Sequence, residues 1–389
     1  MARLHLIAFG WLHRTVVALA MTFLRPVGLK HGTRVKLLVR LDEFGDAVMT
    51  TSMVSAWAGS DPSSVLVVAP KLWASVYSLV PGIRVIAMPS RSKRWRRLLA
   101  PIDAVRMGRR IRALTAVECA IIPRSTDDPS WAILVALVAG SARRVGFSES
   151  TTARRQLVNR GMDHALTDRV SRTGSQHELD DLALLVRAAG SPLEGRLEPK
   201  LSAHPGPSGA LLPASVGIET RGTRIAAILP SAGNYPLKAW PIELVAGTWR
   251  RLTDAGYAPV MLGSRADAPL AEMLSKELGR PIASLAGRTT VEELAAVLAE
   301  CTVAVGADTG AMHLAAALGL PTVGLYGPTN GEQFKLRGRR AIVLQELLPC
   351  SAIHSPDTPD RCRRCIYEVP RCMLALTPER VMAAILGPR

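Results

Sequence analysis

Three short stretches hold the residues whose types and spacing could do chemistry. The stretch VGADTGAMHLAAALGLPTVGLYGPT (305–329) runs from an apolar strand through Asp308, Thr309 and Gly310 into a small-residue helix. Thr309 has the side chain of an N-cap, and Gly310 lets a ligand approach the backbone. The unpaired N–H groups of a helix start favour a diphosphate. His313 lies four residues after Thr309 on the same helical face, although it reads equally well as a buried packing residue. In ILPSAGNYPLKAWP (228–241) a strand opens into a polar loop holding Ser231, Asn234, Lys238 and Trp240. Ser231 and Lys238 could hold phosphate oxygens, the lysine as a point charge on a leaving diphosphate; a solvated loop lysine is the plainer alternative. In LLVRLDEFGDAVMTTSMV (37–54), Gly45 and Asp46 stand where a strand turns into its helix. A carboxylate there could take a proton from a hydroxyl nucleophile. It could equally cap the helix, and Asp42 and Glu43 are rival carboxylates.

These stretches need elements to position them. Apolar runs at 34–40, 64–69, 83–88, 116–122 and 142–147 read as strands, with helical stretches at 45–59 and 71–80 between the first of them. Strands alternating with helices imply βαβ units and a parallel sheet. Residues 191–222 lose that periodicity and are rich in Pro, Gly and Ser, the composition of a linker. The alternation restarts with RIAAILP and continues through PTVGLYG. The reading is therefore an α/β chain with an N-terminal extension (1–33), a Rossmann-like domain (34–190), the linker (191–222) and a second Rossmann-like domain (223–389). Two such parallel-sheet domains are expected to face each other across a ligand cleft at their strand C-termini.

The 389 residues suffice for two domains, and 48% hydrophobic content describes a protein with real cores. A formal charge of +16 favours acidic partners without choosing among them. The N-terminal stretch is too short in its uncharged run, Thr15 to Leu24, for the roughly 20 residues of a spanning helix. Arg3, Arg14 and Arg25 share one helical face, with Phe9, Leu12, Val16, Leu19 and Phe23 opposite. Such a basic amphipathic helix suits the inner surface of the cytoplasmic membrane, and a peripheral, cytoplasmic protein is the expectation; a packed extra helix is the alternative. The stretch 91–112 holds nine basic residues against one acidic, Asp103. Arg94, Arg96 and Arg97 within it are candidates for binding an anionic glycolipid or glycan acceptor, or the membrane itself. Nucleic acid is disfavoured, because Trp95 is the one interleaved aromatic and no binding module is recognisable. Four of six cysteines, Cys350, Cys362, Cys365 and Cys372, crowd into 350–372 with a C-x2-C pair at their centre. That spacing suits a structural tetrathiolate metal, zinc being the usual occupant, with free thiols or disulfides as the alternatives.

Taken in order, Gly45-Asp46, Lys238-Ala239-Trp240-Pro241, Asp308-Thr309-Gly310 with His313, and Gly327-Pro328-Thr329 resemble one family. They look like glycosyltransferase family 9, the ADP-heptose:lipopolysaccharide heptosyltransferases, over roughly residues 34 to 385. The resemblance implies a GT-B fold, acceptor domain first and nucleotide-sugar domain second. It implies inverting transfer, with Asp46 as general base and Lys238 steadying the diphosphate. Ser231, Asp308, Thr309, Gly310 and His313 would then line the donor site. The donor would be a nucleotide sugar, ADP-heptose first, and the acceptor an envelope glycan such as lipopolysaccharide core. GT-B transferases generally need no catalytic metal, since cationic side chains and helix N-termini take the leaving charge. Related autotransporter heptosyltransferases carry a four-cysteine finger of comparable layout with iron, so zinc or iron would sit at the cysteine cluster as a structural ion. One departure stands out: relatives often place a donor-binding Glu after the VMLG strand, where this chain reads Gly263-Ser264-Arg265-Ala266-Asp267. A different sugar or acceptor, or a non-catalytic nucleotide- or glycan-binding module, are the competing readings. A dinucleotide oxidoreductase would need a G-x-G-x-x-G turn after the first strand, and RLDEFGDAV has none.

Overall fold

The Val-, Leu- and Ala-rich runs form strands buried on both faces, as parallel sheets covered by helices require. The computed structural model describes residues 2–23, 34–89, 93–172, 177–203, 207–231, 233, 235–350, 362 and 365–387, with backbone alone at 2–6, 23, 93–98 and 207–210. The chain divides into two units between Leu197 and Glu198. In unit one, β1 (Arg34–Val39), β2 (Val65–Pro70), β3 (Arg84–Met88), β4 (Ala116–Ile122), β5 (Arg143–Phe147) and β6 (Asp168–Val170) make a parallel sheet ordered β3-β2-β1-β4-β5-β6. In unit two, β7 (Arg224–Leu229), β8 (Tyr257–Met261), β9 (Val303–Ala307), β10 (Thr322–Tyr326) and β11 (Ala341–Gln345) make a parallel sheet ordered β11-β10-β9-β7-β8.

Each order reverses direction once, between β1 and β4 in unit one and between β7 and β9 in unit two. At such a switch point the loops leaving adjacent strands part to opposite faces of the sheet, opening a crevice at the strand C-termini. The loops after β1 and β4, and those after β7 and β9, are therefore where each unit can hold a ligand. Close strand approach at the second switch point depends on Gly306, where an added Cβ would lie 2.4 Å from the Leu229 carbonyl oxygen.

Several elements differ from their sequence reading. Residues 71–80, expected as a helix, spend their first residues on the turn after β2, leaving only a 3-10 segment, Ala74–Leu79, that buries Val76 and Tyr77. The expected linker contains a helix, Pro207–Ala214, which packs on the Val291–Glu300 helix of unit two. The basic stretch folds as the Lys93–Leu114 helix. Its Ala104, Met107 and Ile111 are buried, while Arg106, Arg109 and Arg110 are exposed. Gly108 lets it press on the Ala132–Val138 helix, since a Cβ there would lie 2.5 Å from Val138 Cβ.

The N-terminal helix, Ala2–Phe23, is built into unit one. Gly10 permits its closest approach, for an added Cβ would stand 2.1 Å from the Leu157 carbonyl oxygen. One turn on, the His13 ring stacks on Trp131 at 4.8 Å between centroids, and Val17 is buried. Burial pushes the His13 imidazole down to about 4, against the partial relief of the Arg160 carbonyl, so it packs as a neutral ring. The apolar stripe expected to face a membrane is thus split. Phe9 and Val16 join the core, while Leu12 and Leu19 stay about half exposed beside Trp11. Gly10→Val should overpack this contact and cost ~1–3 kcal/mol, read as a lowered unfolding midpoint; an unchanged midpoint would show that the helix is not docked there.

Candidate functional site

In unit two the loop after β7 is fixed at both ends. Trp240 is buried, its backbone N–H donates to the Pro230 carbonyl at 2.8 Å, and its indole N–H donates to the Leu376 carbonyl at 3.0 Å. Lys238 ends the 3-10 turn Pro236–Lys238 just before this anchor. Its Nζ reaches Oδ2 of Asp308 at 2.6 Å, across the switch point to the end of β9. The same oxygen accepts the Thr329 hydroxyl at 2.8 Å, and His313 Nε2 lies 3.6 Å from Oδ1. Burial alone would raise the Asp308 carboxyl, but the Lys238 ammonium and His313 outweigh it and hold the group well below its ordinary range.

Thr309 caps the following helix, Gly310–Ala317, its hydroxyl accepting the Met312 N–H at 3.3 Å. Gly327-Pro328-Thr329 leaves β10, and Gln345 of β11 steadies that turn by donating to the Thr329 carbonyl at 2.6 Å. Asp308, Thr309, His313, Lys238 and Thr329 therefore come together from three separate places in the chain. An ammonium, a hydroxyl-capped helix start and a buried histidine make a cradle suited to an oxyanion. Ser231 has a different partner: its hydroxyl donates to Asp267, which also accepts the Ser264 N–H at 2.7 Å and hydroxyl at 2.8 Å. Asp267 thus closes the Gly263–Asp267 loop as a cap. Asn234 lies outside the described residues.

In unit one Asp46 sits in the first turn of the Phe44–Ala58 helix and reciprocates the cap made by Glu43, accepting the Glu43 N–H at 3.2 Å. Its Oδ1 lies 2.9 Å from Nη2 of Arg40, the residue after β1, and its side chain is 26% exposed. Of its rivals, Asp42 is only 4% exposed, held between Arg40 at 2.9 Å and the Arg124 guanidinium from the loop after β4. Burial would raise Asp42, but Arg124 and Arg40 outweigh it and keep it ionised. Glu43 is committed to capping as the N-cap residue. Asp46 is thus the partly exposed carboxylate of the three that also has a fixed orientation. Arg155, fully buried, pins the Arg124 loop by donating to the Arg124 carbonyl at 2.8 Å and the Phe147 carbonyl at 2.9 Å.

Arg40, Arg124 and Glu178 were not singled out from sequence, and Thr329 was read only as part of the Gly327-Pro328-Thr329 turn. Arg40 ends an apolar strand with a charge, which is a signal; the others depend on contacts between distant segments. The side chains of Arg94, Arg96 and Arg97 lie outside the described residues. Cys350, Cys362, Cys365 and Cys372 are half-buried and form no disulfide with one another, and the Cys362 thiol lies 4.0 Å from the Cys350 carbonyl. Burial pushes the Cys372 thiol up, and the nearby Cys365, Cys350 and Cys362 thiols add to the rise. Among the described residues no three potential ligands are spaced to hold a metal ion. No chemical step runs through the cluster, and a structural ion held by these four thiols is a proposal.

The family model described as glycosyltransferase family 9 (heptosyltransferase) matches residues 135–362, more than half of the chain. The lipooligosaccharide heptosyltransferase 2 of Haemophilus influenzae is 39% identical over 105 residues, 26% of this chain and 30% of that protein. The lipopolysaccharide heptosyltransferase 2 of Escherichia coli is 29% identical over 157 residues, 39% of this chain and 43% of that protein. The chain therefore spans less than half the length of these curated relatives in the matched regions. Over whole structures, the E. coli ADP-heptose lps heptosyltransferase II superposes with TM-score 0.68 at 21% identity, covering 90% of this chain and 97% of that one. A family 9 glycosyl transferase from Veillonella parvula gives 0.73 at 18% identity, covering 93% and 98%. These likenesses show the fold, two parallel-sheet α/β units of the GT-B type. With the matched region spanning the Asp308–His313 turn and the Lys238 loop, the chain belongs to glycosyltransferase family 9.

Proposed function

We propose that this protein is an inverting glycosyltransferase that moves a sugar, heptose first among candidates, from a nucleoside-diphosphate donor to a hydroxyl of an envelope glycan such as lipopolysaccharide core. The observation that carries the reading is the Lys238–Asp308–Thr329 cluster at the switch point of unit two. A partly exposed ammonium already paired to a buried carboxylate costs little reorganisation when a diphosphate arrives, because the site is built around a charge pair before the donor binds. Lys238 and the start of the Gly310–Ala317 helix take the charge that develops on the leaving diphosphate. In unit one, Asp46 accepts the proton of the acceptor hydroxyl. That oxygen forms the new bond to the anomeric carbon while the bond from the anomeric carbon to the phosphate oxygen breaks, its electron pair leaving with the nucleoside diphosphate. This scheme calls on no metal.

ADP-heptose is the first donor to test, since relatives are lipopolysaccharide heptosyltransferases and solved structures of E. coli heptosyltransferase WaaC hold ADP and ADP-2-deoxy-2-fluoro heptose. A donor with another sugar is a second reading favoured by one observation: both oxygens of Asp267, the carboxylate of the loop after β8, already accept protein donors. Acceptor recognition by the basic residues of the Lys93–Leu114 segment, Arg94, Arg96 and Arg97 among them, belongs to the same proposal. So does attachment to the inner surface of the cytoplasmic membrane. No helix among the described residues is long and apolar enough to cross a membrane. The outer face of the N-terminal helix nevertheless presents Trp11, Leu12 and Leu19, each about half exposed, with Arg14 and Arg160 over the Trp11 ring. Apolar side chains flanked by guanidinium groups suit an anionic headgroup layer.

Nucleoside diphosphate release from a panel of nucleotide sugars, with and without glycolipid acceptor, tests the reaction. Asp46→Asn should lower acceptor-stimulated kcat by about 10²–10⁴-fold; undiminished release would remove Asp46 as the base. Lys238→Met should lower kcat by about 10²–10³-fold, and retained turnover would show that the diphosphate binds elsewhere. Replacing Trp11, Leu12 and Leu19 with Ser should weaken sedimentation with phosphatidylglycerol vesicles and leave donor hydrolysis in solution intact. Equal vesicle binding by this variant would contradict attachment through that face.

A further inference from the structure

Arg40 is 3% exposed and surrounded by three carboxyl groups. Its Nε lies 2.9 Å from Asp42, and its Nη2 lies 2.9 Å from Asp46 and 4.0 Å from Oε1 of Glu178. Glu178 opens the Glu178–Ala188 helix, packed against the Phe44–Ala58 helix, and its side chain is 6% exposed. The charges there nearly close without it. Arg40 and Arg124 are two cations, Asp42 and Asp46 two anions, and the neighbouring Asp181 is matched by Arg172 at 2.7 Å. An ionised Glu178 would be a buried anion in excess, an arrangement that proteins avoid by keeping the group neutral.

We propose that Glu178 is a positioning residue for Asp46, acting through Arg40: neutral, it leaves the Arg40 Nη2 to Asp46, and ionised, it competes for that nitrogen. This rests on the reading of Asp46 as the base. When Arg40 is held by Asp46, the guanidinium and the Glu43 N–H together fix the carboxylate's rotation. When Glu178 is ionised, the guanidinium is shared among three anions, Asp46 loses its fixed orientation, and negative charge accumulates beside an anionic acceptor. The groups facing Glu178 are Arg40 from the end of β1, Asp46 from the Phe44–Ala58 helix, Arg172 following β6, and His177 and Asp181 beside it on its own segment. Tyr77 from the Ala74–Leu79 turn faces Arg40 behind them. Burial, the largest influence, with the Asp46 and Asp181 charges, outweighs Arg40 and Arg172 and pushes Glu178 up to about 7.

The sign follows from that direction. A carboxyl raised in the folded state binds a proton there that the unfolded chain has released, so stability falls as pH rises from about 4.5 toward about 7 and is level above. Glu178→Gln, neutral throughout, should unfold at the same temperature as wild type near pH 4.5 and at a higher one above pH 7. Glu178→Leu, which cannot titrate either, should show the same widening gap even if its overall stability is lower. In acceptor-saturated assays, wild-type kcat should decline by about tenfold per pH unit above the Glu178 transition, and Glu178→Gln should hold its activity through that range. Superimposable pH–activity profiles, with Asp46→Asn inactive, would overturn the positioning role alone. A stability gap that does not change with pH would overturn it too, because Glu178 would then carry no proton to lose. Activity surviving in Asp46→Asn would instead remove the base itself, a failure the stability measurement does not share.

Discussion

The ion pair between Lys238 and Asp308 is the contact on which the candidate donor site depends. It joins the loop after β7 to the end of β9, the two strands between which the sheet of unit two changes direction. A lysine in that loop with no partner would be solvated and mobile; here the carboxylate holds it over the start of the Gly310–Ala317 helix. Asp308 in turn is kept ionised although buried, because Lys238, His313 and the Thr329 hydroxyl converge on it. Removing any one of these leaves a buried polar group short of a partner, so the cluster behaves as a unit.

Unit one repeats the arrangement with different side chains. Its sheet reverses between β1 and β4, and Asp42 and Arg124 join the loops that leave those strands. The difference lies in what surrounds the pair. In unit two the cation is 20% exposed and able to meet a diphosphate. In unit one the pair is backed by Arg40, which reaches outward to the partly exposed Asp46. Charge is thus buried in both places, and in each a partly exposed group borders the network, Lys238 in unit two and Asp46 with Arg124 in unit one.

How much of this was legible in the residues depends on range. The strands flanking both switch points, β1, β4, β7 and β9, were readable because central parallel strands are continuous apolar runs. The edge strands β6 and β11 were not: DRV is short and polar, and AIVLQ is only half-buried, so neither carries the same signal. The N-terminal helix was readable as a helix but not in its packing, since the contact centres on Gly10 and His13, which an amphipathicity argument ignores. The loop residues Asp46, Lys238, Asp308 and His313 stood out by type and place. Their pairings did not, because Asp42–Arg124, Arg40–Glu178 and Lys238–Asp308 link segments brought together only by strand order. Ser231 shows the converse case, a residue with the right type whose hydroxyl the fold gives to Asp267.

The most direct test of the account is a crystal structure of the protein with ADP bound. It should place the diphosphate oxygens within hydrogen-bond distance of Lys238 Nζ and of the backbone N–H groups at the start of the Gly310–Ala317 helix. A diphosphate bound away from the β7–β9 crevice, with Lys238 still closed on Asp308, would contradict the central claim.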